Sequence, residues 1–164
     1  MEIWDGYLMD GSLANQDLVR GEPIPKDLYH LVSEILVRHV DGDYLIMQRD
    51  FNKPNYGGYY EATAGGSALK GEDKITCAMR ELLEETGVTA ISYEEIGCYI
   101  SKDTIYFSFL CITDCNKSSI LLQDSIIDLF CPVESVGNLL VTSDRKPRSS
   151  WLKQKGNLLA DVTG

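Results

Sequence analysis

The sequence predicts an α/β (α+β) fold in which a mixed β-sheet carries helices on its faces. Segments that favour strands outnumber those that favour helices, and the strongest helical segment lies mid-chain between strands. The composition is that of a globular chain, with 44% hydrophobic and 24% charged residues. The length of 164 residues suits a single domain, 1–164, in which residues 1–28 form an N-terminal arm.

Segments rich in apolar and β-branched residues predict the strands. In chain order they are residues 3–9, 29–37, 44–49, 59–64, 91–96, 105–113 and 126–131. Asp10-Gly11 reads as a turn, and Asp41-Gly42 between two apolar runs is a strong hairpin signal. The strand over 59–64 is expected to end at Gly65-Gly66.

Residues 73–86 predict the chief helix, because they are dominated by good helix formers. Ile75, Met79 and Leu82 are spaced to form its buried stripe, and Gly87 stands where a glycine commonly closes a helix. Shorter helices are expected over 132–140 and 151–160. Cys77, inside the chief helix, reads as a small buried residue.

Charge limits the possible partners. The net charge of −10 and the pI near 4.6 argue against a nucleic-acid polymer or an anionic membrane as ligand. No apolar run approaches the roughly 18 residues of a membrane helix. The acidic first five residues do not resemble a secretory signal. An anionic ligand would therefore need a cation between it and the protein.

Cysteine usage points to a reducing compartment. The five cysteines form an odd set without a C-x-x-C pair, which favours neither a disulfide framework nor a zinc site. We therefore expect a cytoplasmic protein. The two histidines, His30 and His39, fall on predicted strands and are assigned structural roles. In the arm, Trp4 and Tyr7 are expected to anchor it, with a pocket wall or a dimer contact as the alternative.

Three carboxylates gather on one face of the chief helix. At about 100° per residue, Glu81, Glu84 and Glu85 fall within roughly 100° of arc. Such side chains repel one another, and Arg80 is the only nearby positive charge in the helix. A solvated acidic face is the simple interpretation. The alternative is a site for Mg²⁺, with Mn²⁺ as a substitute, because carboxylate oxygens suit these ions.

The residues before the helix favour the metal interpretation. Gly65 and Gly66 would let backbone N–H groups approach an anion, since no side chain obstructs them. The helix that follows directs its N-terminus towards this turn, which also favours negative charge. One short segment thus joins a phosphate-approaching turn to a metal-binding stripe.

This segment resembles the Nudix hydrolases, whose signature is G-x5-E-x7-R-E-U-x-E-E-x-G-U, with U a bulky aliphatic residue. The sequence agrees at every position: Gly66, Glu72, Arg80, Glu81, Leu82, Glu84, Glu85, Gly87 and Val88. Many relatives read Pro-Gly-Gly where this chain has Ala64-Gly65-Gly66. The resemblance implies a Nudix-type α/β/α sandwich with a mixed β-sheet.

The resemblance also implies a reaction and a set of roles. Nudix enzymes generally cleave a phosphoanhydride in a nucleoside diphosphate linked to another moiety, with Mg²⁺ activating water and neutralising phosphate. Glu81 and Glu85 are the expected metal ligands, with Glu84 as an additional ligand. Glu72 could bind metal or accept hydrogen bonds that orient the stripe. Arg80 is expected to pair with a carboxylate, and a direct phosphate contact is its alternative role.

Further site residues are less well defined. The general base varies in the family, and Asp124 is preferred here over Asp128 and Glu134. Arg49, at the end of a predicted strand, could bind a phosphate bidentately or be an ordinary surface residue. With Gly65 and Gly66 it completes the expected substrate-binding set. The partner is expected to be a small-molecule pyrophosphate, and a homodimer is plausible.

Two other functions stay open. Leu28-Tyr29-His30 and Gln48-Arg49 resemble the branch near isopentenyl diphosphate isomerases, but those enzymes use a cysteine just before the box, and residues 61–66 contain none. A ligand-sensing module that has lost catalysis is the third hypothesis. Such modules usually lose carboxylates of the box, and all are present here.

Overall fold

The computed structural model describes residues 1–48, 50–52, 58, 60–120 and 127–132. In chain order, the elements are β1 Ile3–Tyr7, β2 Leu13–Val19, β3 His30–His39, β4 Tyr44–Gln48, β5 Tyr60–Glu61, β6 Thr63–Ser67, α1 Lys74–Thr86, β7 Ser92–Ser101, β8 Thr104–Thr113 and β9 Ile127–Cys131. Strands β1 and β2 form a separate two-stranded sheet. The other seven strands form the main sheet.

The main sheet is mixed, as predicted. Its order is β5-β4-β3-β8-β7, with β6 also paired to β3 and β9 paired to β4. Strands β3 and β8 run parallel along ten residue pairs, while the other pairings are antiparallel. Strand β4 meets β3 only at Arg38↔Tyr44, and β6 takes its place beside β3 from Val32 to Leu36. This replacement brings β6 next to α1.

Helix α1 covers one face of the sheet through a continuous core. Ile35 and Val37 of β3, Phe109 of β8, and Ala78 and Leu82 of α1 are all at most 1% exposed. Alternate residues of β3 point to this face because side chains alternate along a strand. The burial fixes the rotation of α1 about its axis, and with it the side that faces β6.

Three expectations need correction. Met79 is 53% exposed, because it lies about 100° around the helix from the buried Ala78. The region 1–28 contains a second strand, β2, whose centre is too polar to be recognised from sequence. Gly65 and Gly66 lie inside β6 rather than after a strand, because β3 supplies pairing partners for both.

Some of the remaining predictions are confirmed, and others concern residues that the structure does not describe. The hairpin at Asp41-Gly42 and the helix over 73–86 are confirmed. Cys77 is fully buried, as expected. Of the helices expected over 132–140 and 151–160, all residues except Pro132 lie outside the described residues. In the part of the chain that is described, no helix is long and apolar enough to cross a bilayer.

Candidate active site

The site is built on α1, whose two ends are capped by their own sequence. The Asp73 side chain accepts a hydrogen bond from the Thr76 backbone N–H at 2.7 Å, which is the usual N-cap contact. Gly87 takes a left-handed conformation (φ 69°) and donates its N–H to the Leu83 carbonyl at 2.9 Å. These caps fix the length of the helix that presents the carboxylates.

Arg80 joins three of the predicted carboxylates. Its guanidinium grips Glu72 bidentately, with Nε to Oε1 at 2.7 Å and Nη2 to Oε2 at 2.9 Å. Its Nη1 donates to Glu81 at 2.8 Å and to Glu84 at 2.9 Å. Nη2 also donates to the Ser67 carbonyl at 3.0 Å. A single planar cation therefore fixes the turn before α1, the helix face and the end of β6 relative to one another.

The environment separates these carboxylates electrostatically. The hydrogen bonds from Arg80 lower the pKa of Glu72, while burial raises the pKa of Glu81 despite the same guanidinium. Glu84 is half exposed and Glu81 is 13% exposed. The bonds to Glu72 in turn raise the pKa of Arg80, which keeps it charged at any working pH. The site thus holds negative charge at positions that differ in hydration.

The two glycines of β6 are required by close packing. A Cβ on Gly66 would overlap the Glu81 carboxylate, and one on Gly65 would overlap the Ser33 carbonyl oxygen. The Gly65 N–H donates to Glu85 Oε2 at 3.0 Å. This N–H, which sequence reasoning directed at a substrate anion, here holds a carboxylate of the helix. Gly65, Gly66, Glu81 and Glu85 therefore form one contact between β6 and α1.

Some predicted residues cannot be placed in the site. Arg49, Asp124 and Glu134 lie outside the described residues, and only the backbone of Asp128 is described, opposite Met47 in β9. In the described part of the chain, no three Asp, Glu, His or Cys side chains are grouped so that they could hold a metal as they stand. The carboxylates around Arg80 are bonded to the guanidinium instead.

Sequence reasoning missed contributors that act through the backbone or through distant strands. The Ser67 carbonyl accepts from Arg80, and the Leu69 N–H donates to Glu72 at 2.8 Å. His30 was assigned a structural role, and its ring nitrogens lie 3.3 Å from Ser67 Oγ and 2.7 Å from Thr104 Oγ1, on strands that the sequence did not identify as its partners. Every residue type has a backbone carbonyl, and all but proline have a backbone N–H. The sequence therefore carries no signal for the roles of the Ser67 carbonyl and the Leu69 N–H.

The fold and the carboxylate face together define a class of protein. In this class a helix with an acidic face packs on a mixed sheet, against a strand that contains two glycines. Residues 28–154 match the family model described as NUDIX domain, and the chain belongs to this family. The chain is 36% identical over 89 residues to the uncharacterized Nudix hydrolase lin0387 of Listeria innocua, covering 54% of this chain and 53% of that protein. A second relative, the uncharacterized Nudix hydrolase lmo0368 of Listeria monocytogenes, is 35% identical over 88 residues, covering 54% of this chain and 52% of that protein. The chain thus spans about half the length of the curated relatives it matches.

Solved structures show the same fold at low sequence identity. DR0079 from Deinococcus radiodurans superposes with a TM-score of 0.68 at 15% identity, over 89% of this chain and 93% of that one. A structure from work on MutT of Aliivibrio salmonicida and Vibrio cholerae gives a TM-score of 0.61 at 17% identity, over 82% and 96%. The predicted Nudix-type α/β fold is therefore confirmed.

Proposed function

We propose that this chain is a metal-dependent hydrolase that cleaves a phosphoanhydride bond in a nucleoside diphosphate-linked or related pyrophosphate. The observation that carries the proposal is the packing of the Glu81 and Glu85 carboxylates onto Gly66 and Gly65 of β6. Membership of the Nudix family supports the same reaction class. The fold alone does not define a function, whereas the side chains of this site can.

The donor chemistry fits a divalent cation. Glu81 and Glu85 lie one helical turn apart, and the missing Cβ of Gly66 leaves room for the Glu81 carboxylate against β6. Mg²⁺, or Mn²⁺ in its place, would be held by Glu81 and Glu85, with Glu84 as an additional ligand. Glu72, whose two carboxylate oxygens both accept from Arg80, would orient these ligands, or would join them if the ion displaces the guanidinium. When bound, such an ion would neutralise phosphate oxygens and lower the pKa of a bound water, which would make its proton easier for a general base to remove.

The protein's own residues orient this set. Arg80 holds Glu72, Glu81 and Glu84 by bonds of 2.7–2.9 Å, and the Gly65 N–H holds Glu85. Partners of metal ligands act in this way, since they fix the direction in which a ligand's lone pairs point. We assign Arg80 this orienting role within the catalytic set. A direct phosphate contact through Arg80 stays the alternative.

We propose Asp124 as the general base and Arg49 as a phosphate contact, on the sequence alone. Asp124→Asn should then lower turnover at saturating substrate, whereas Asp128→Asn and Glu134→Gln should not. Arg49→Ala should raise KM more than it lowers kcat, since a phosphate contact made equally in ground and transition states appears in KM.

The test is a panel of pyrophosphate compounds incubated with Mg²⁺: nucleoside triphosphates, nucleotide sugars, dinucleotides, ADP-ribose-like compounds and prenyl diphosphates. We expect metal-dependent release of phosphate or monophosphate from at least one compound class. Glu85→Gln should lower kcat by about 100-fold or more while the fold is kept. The matched control is Glu94→Gln, which removes a carboxylate from the exposed edge strand β7.

Two results would contradict the proposal. One is complete inertness of the wild type across the panel, which would favour a ligand-sensing module. The other is full turnover by Glu85→Gln, which would exclude this carboxylate from the site.

We further propose a single domain over 1–164 and a cytoplasmic protein that forms a homodimer. Fractionation and light scattering test the last two points.

A further inference from the structure

The β1–β2 hairpin lies outside the residues 28–154 that match the family model, yet it packs on the candidate active site. The Ile3 carbonyl accepts the Lys70 N–H at 2.9 Å, and the Asp5 carboxylate accepts the Gly71 N–H at 2.7 Å. These contacts hold the turn of residues 69–72, which carries Glu72. The hairpin therefore holds the turn through backbone contacts that are separate from those of Arg80.

A second contact joins the hairpin to the start of β3. The Trp4 indole is 8% exposed and stacks on the His30 ring, with centroids 4.4 Å apart and planes 16° from parallel. Its Nε1 donates to Glu2 at 2.8 Å, and Glu2 also pairs with Arg20 at 2.6 Å. A buried aromatic stack with a satisfied indole N–H restricts the His30 ring to one orientation.

From His30 the contacts continue to the catalytic set. One His30 ring nitrogen lies 3.3 Å from Ser67 Oγ and the other 2.7 Å from Thr104 Oγ1. The carbonyl of Ser67 accepts from Arg80 Nη2 at 3.0 Å. Trp4 thus reaches the Arg80 guanidinium through two intervening residues. Asp5 reaches Glu72, the bidentate partner of Arg80, through one turn.

We propose that the β1–β2 hairpin is a positioning element of the catalytic centre, with Trp4 and Asp5 as its positioning residues. The proposal rests on the proposed function, because it assigns the hairpin to the same carboxylate site. Trp4 holds the Ser67 side of Arg80 and Asp5 holds the Glu72 side. Loss of either contact lets the guanidinium and its carboxylates shift, and a misplacement of about 1 Å can cost about 100-fold in rate.

The experiment compares Asp5→Ala and Trp4→Leu with the wild type in the full chain. Mn²⁺ binding is measured directly by electron paramagnetic resonance, and the Mg²⁺ dependence of kcat and KM is measured on the substrate found by the panel. We expect each variant to weaken Mn²⁺ binding about 10-fold and to lower kcat, with KM at saturating metal nearly unchanged.

The matched control is Asp17→Ala, which removes another hairpin carboxylate. Asp17 pairs with the Lys70 ammonium at 2.6 Å and is half exposed, so it contacts a side chain of the turn rather than its backbone. Exposed pairs contribute little, and this variant should keep Mn²⁺ affinity within about two-fold of the wild type. Trp4→Phe retains a stacking ring and should recover most of the affinity lost in Trp4→Leu.

A hairpin that merely stabilises the fold would lower the unfolding temperature in Asp5→Ala but leave Mn²⁺ affinity and kcat per folded molecule unchanged, and this result would overturn the proposal. If Trp4→Leu does not fold, Asp5→Ala decides the question. The Mn²⁺ comparison also separates the two proposals: a wild type that binds Mn²⁺ but cleaves no compound contradicts the proposed function, while the variants still test the hairpin.

Discussion

Replacement of Gly66 by alanine should separate catalysis from stability. The backbone of Gly66 is not in the left-handed region, so alanine can adopt its conformation without strain. The three atoms nearest to the new Cβ all belong to the Glu81 carboxyl group, with Oε2 at 2.6 Å. An ordinary contact is about 3.5 Å, so the carboxylate must retreat by about 1 Å.

The retreat breaks or bends the 2.8 Å bond from Arg80 to Glu81. A hydrogen bond to a charged group contributes about 1.5–3 kcal/mol, while the stiffer unfolded chain of an alanine variant offsets about 0.4–1 kcal/mol. We therefore expect Gly66→Ala to lose about 0.5–2.6 kcal/mol of unfolding free energy. A carboxylate displaced by about 1 Å should lower kcat about 100-fold.

The assay is urea unfolding together with Mg²⁺-dependent turnover, and the control is Gly97→Ala, whose Cβ would meet nothing within 4 Å. Gly65→Ala should cost more stability, about 3 kcal/mol, because its Cβ would meet the Ser33 backbone rather than a side chain that can move. A folded Gly66→Ala protein with wild-type turnover would refute the reasoning, since the Glu81 carboxylate could then move without consequence.

Three further predictions concern stability. Asp73→Ala should lower the unfolding free energy by about 1 kcal/mol through loss of the N-cap bond, with Asp73→Ser restoring most of it in urea titrations. Leu82→Ala, at a fully buried position, should cost about 2–5 kcal/mol by the same measurement, and a loss under 1 kcal/mol would contradict the packing described. Burial lowers the pKa of His30 below its ordinary 6.5, so the unfolded chain takes up a proton that the folded chain resists. Stability should therefore fall as pH drops below about 6.5, and His30→Gln should show a smaller fall between pH 7.5 and 5.5 in thermal melts.

The parts of the molecule that could be predicted from sequence are those encoded locally. The helix that starts after Asp73, the closing Gly87 and the Asp41-Gly42 turn depend on their immediate neighbours, and each lies where the pattern indicated. The spacing of Glu81, Glu84 and Glu85 on one helix face follows from the helical repeat alone.

Long-range contacts could not be predicted, because they depend on which strands meet. The pairing of β6 with β3 places Gly65 beside Glu34 in register, and no local signal in either segment specifies that partner. The bond from Lys70 N–H to the Ile3 carbonyl joins residues far apart in the chain through backbone atoms. Strand β2 could not be predicted either, because its central residues are polar. It is defined by its backbone pairing with β1, which requires no apolar pattern.

Arg80 shows the limit for side chains. Its position next to Glu81 was evident, but its simultaneous bonds to Glu72, Glu84 and the Ser67 carbonyl depend on one rotamer set by the surrounding turn. Sequence spacing fixes which charges share a helix face. It does not fix how a single guanidinium divides its donors among them.

The most direct test is an anomalous difference map from crystals grown with Mn²⁺ and a non-hydrolysable pyrophosphate analogue. We predict a peak about 2.2 Å from carboxylate oxygens of Glu81 and Glu85, with analogue oxygens completing its coordination. A peak held by other residues, or an analogue bound with no metal beside α1, would contradict the assignment of this helix face as the catalytic centre.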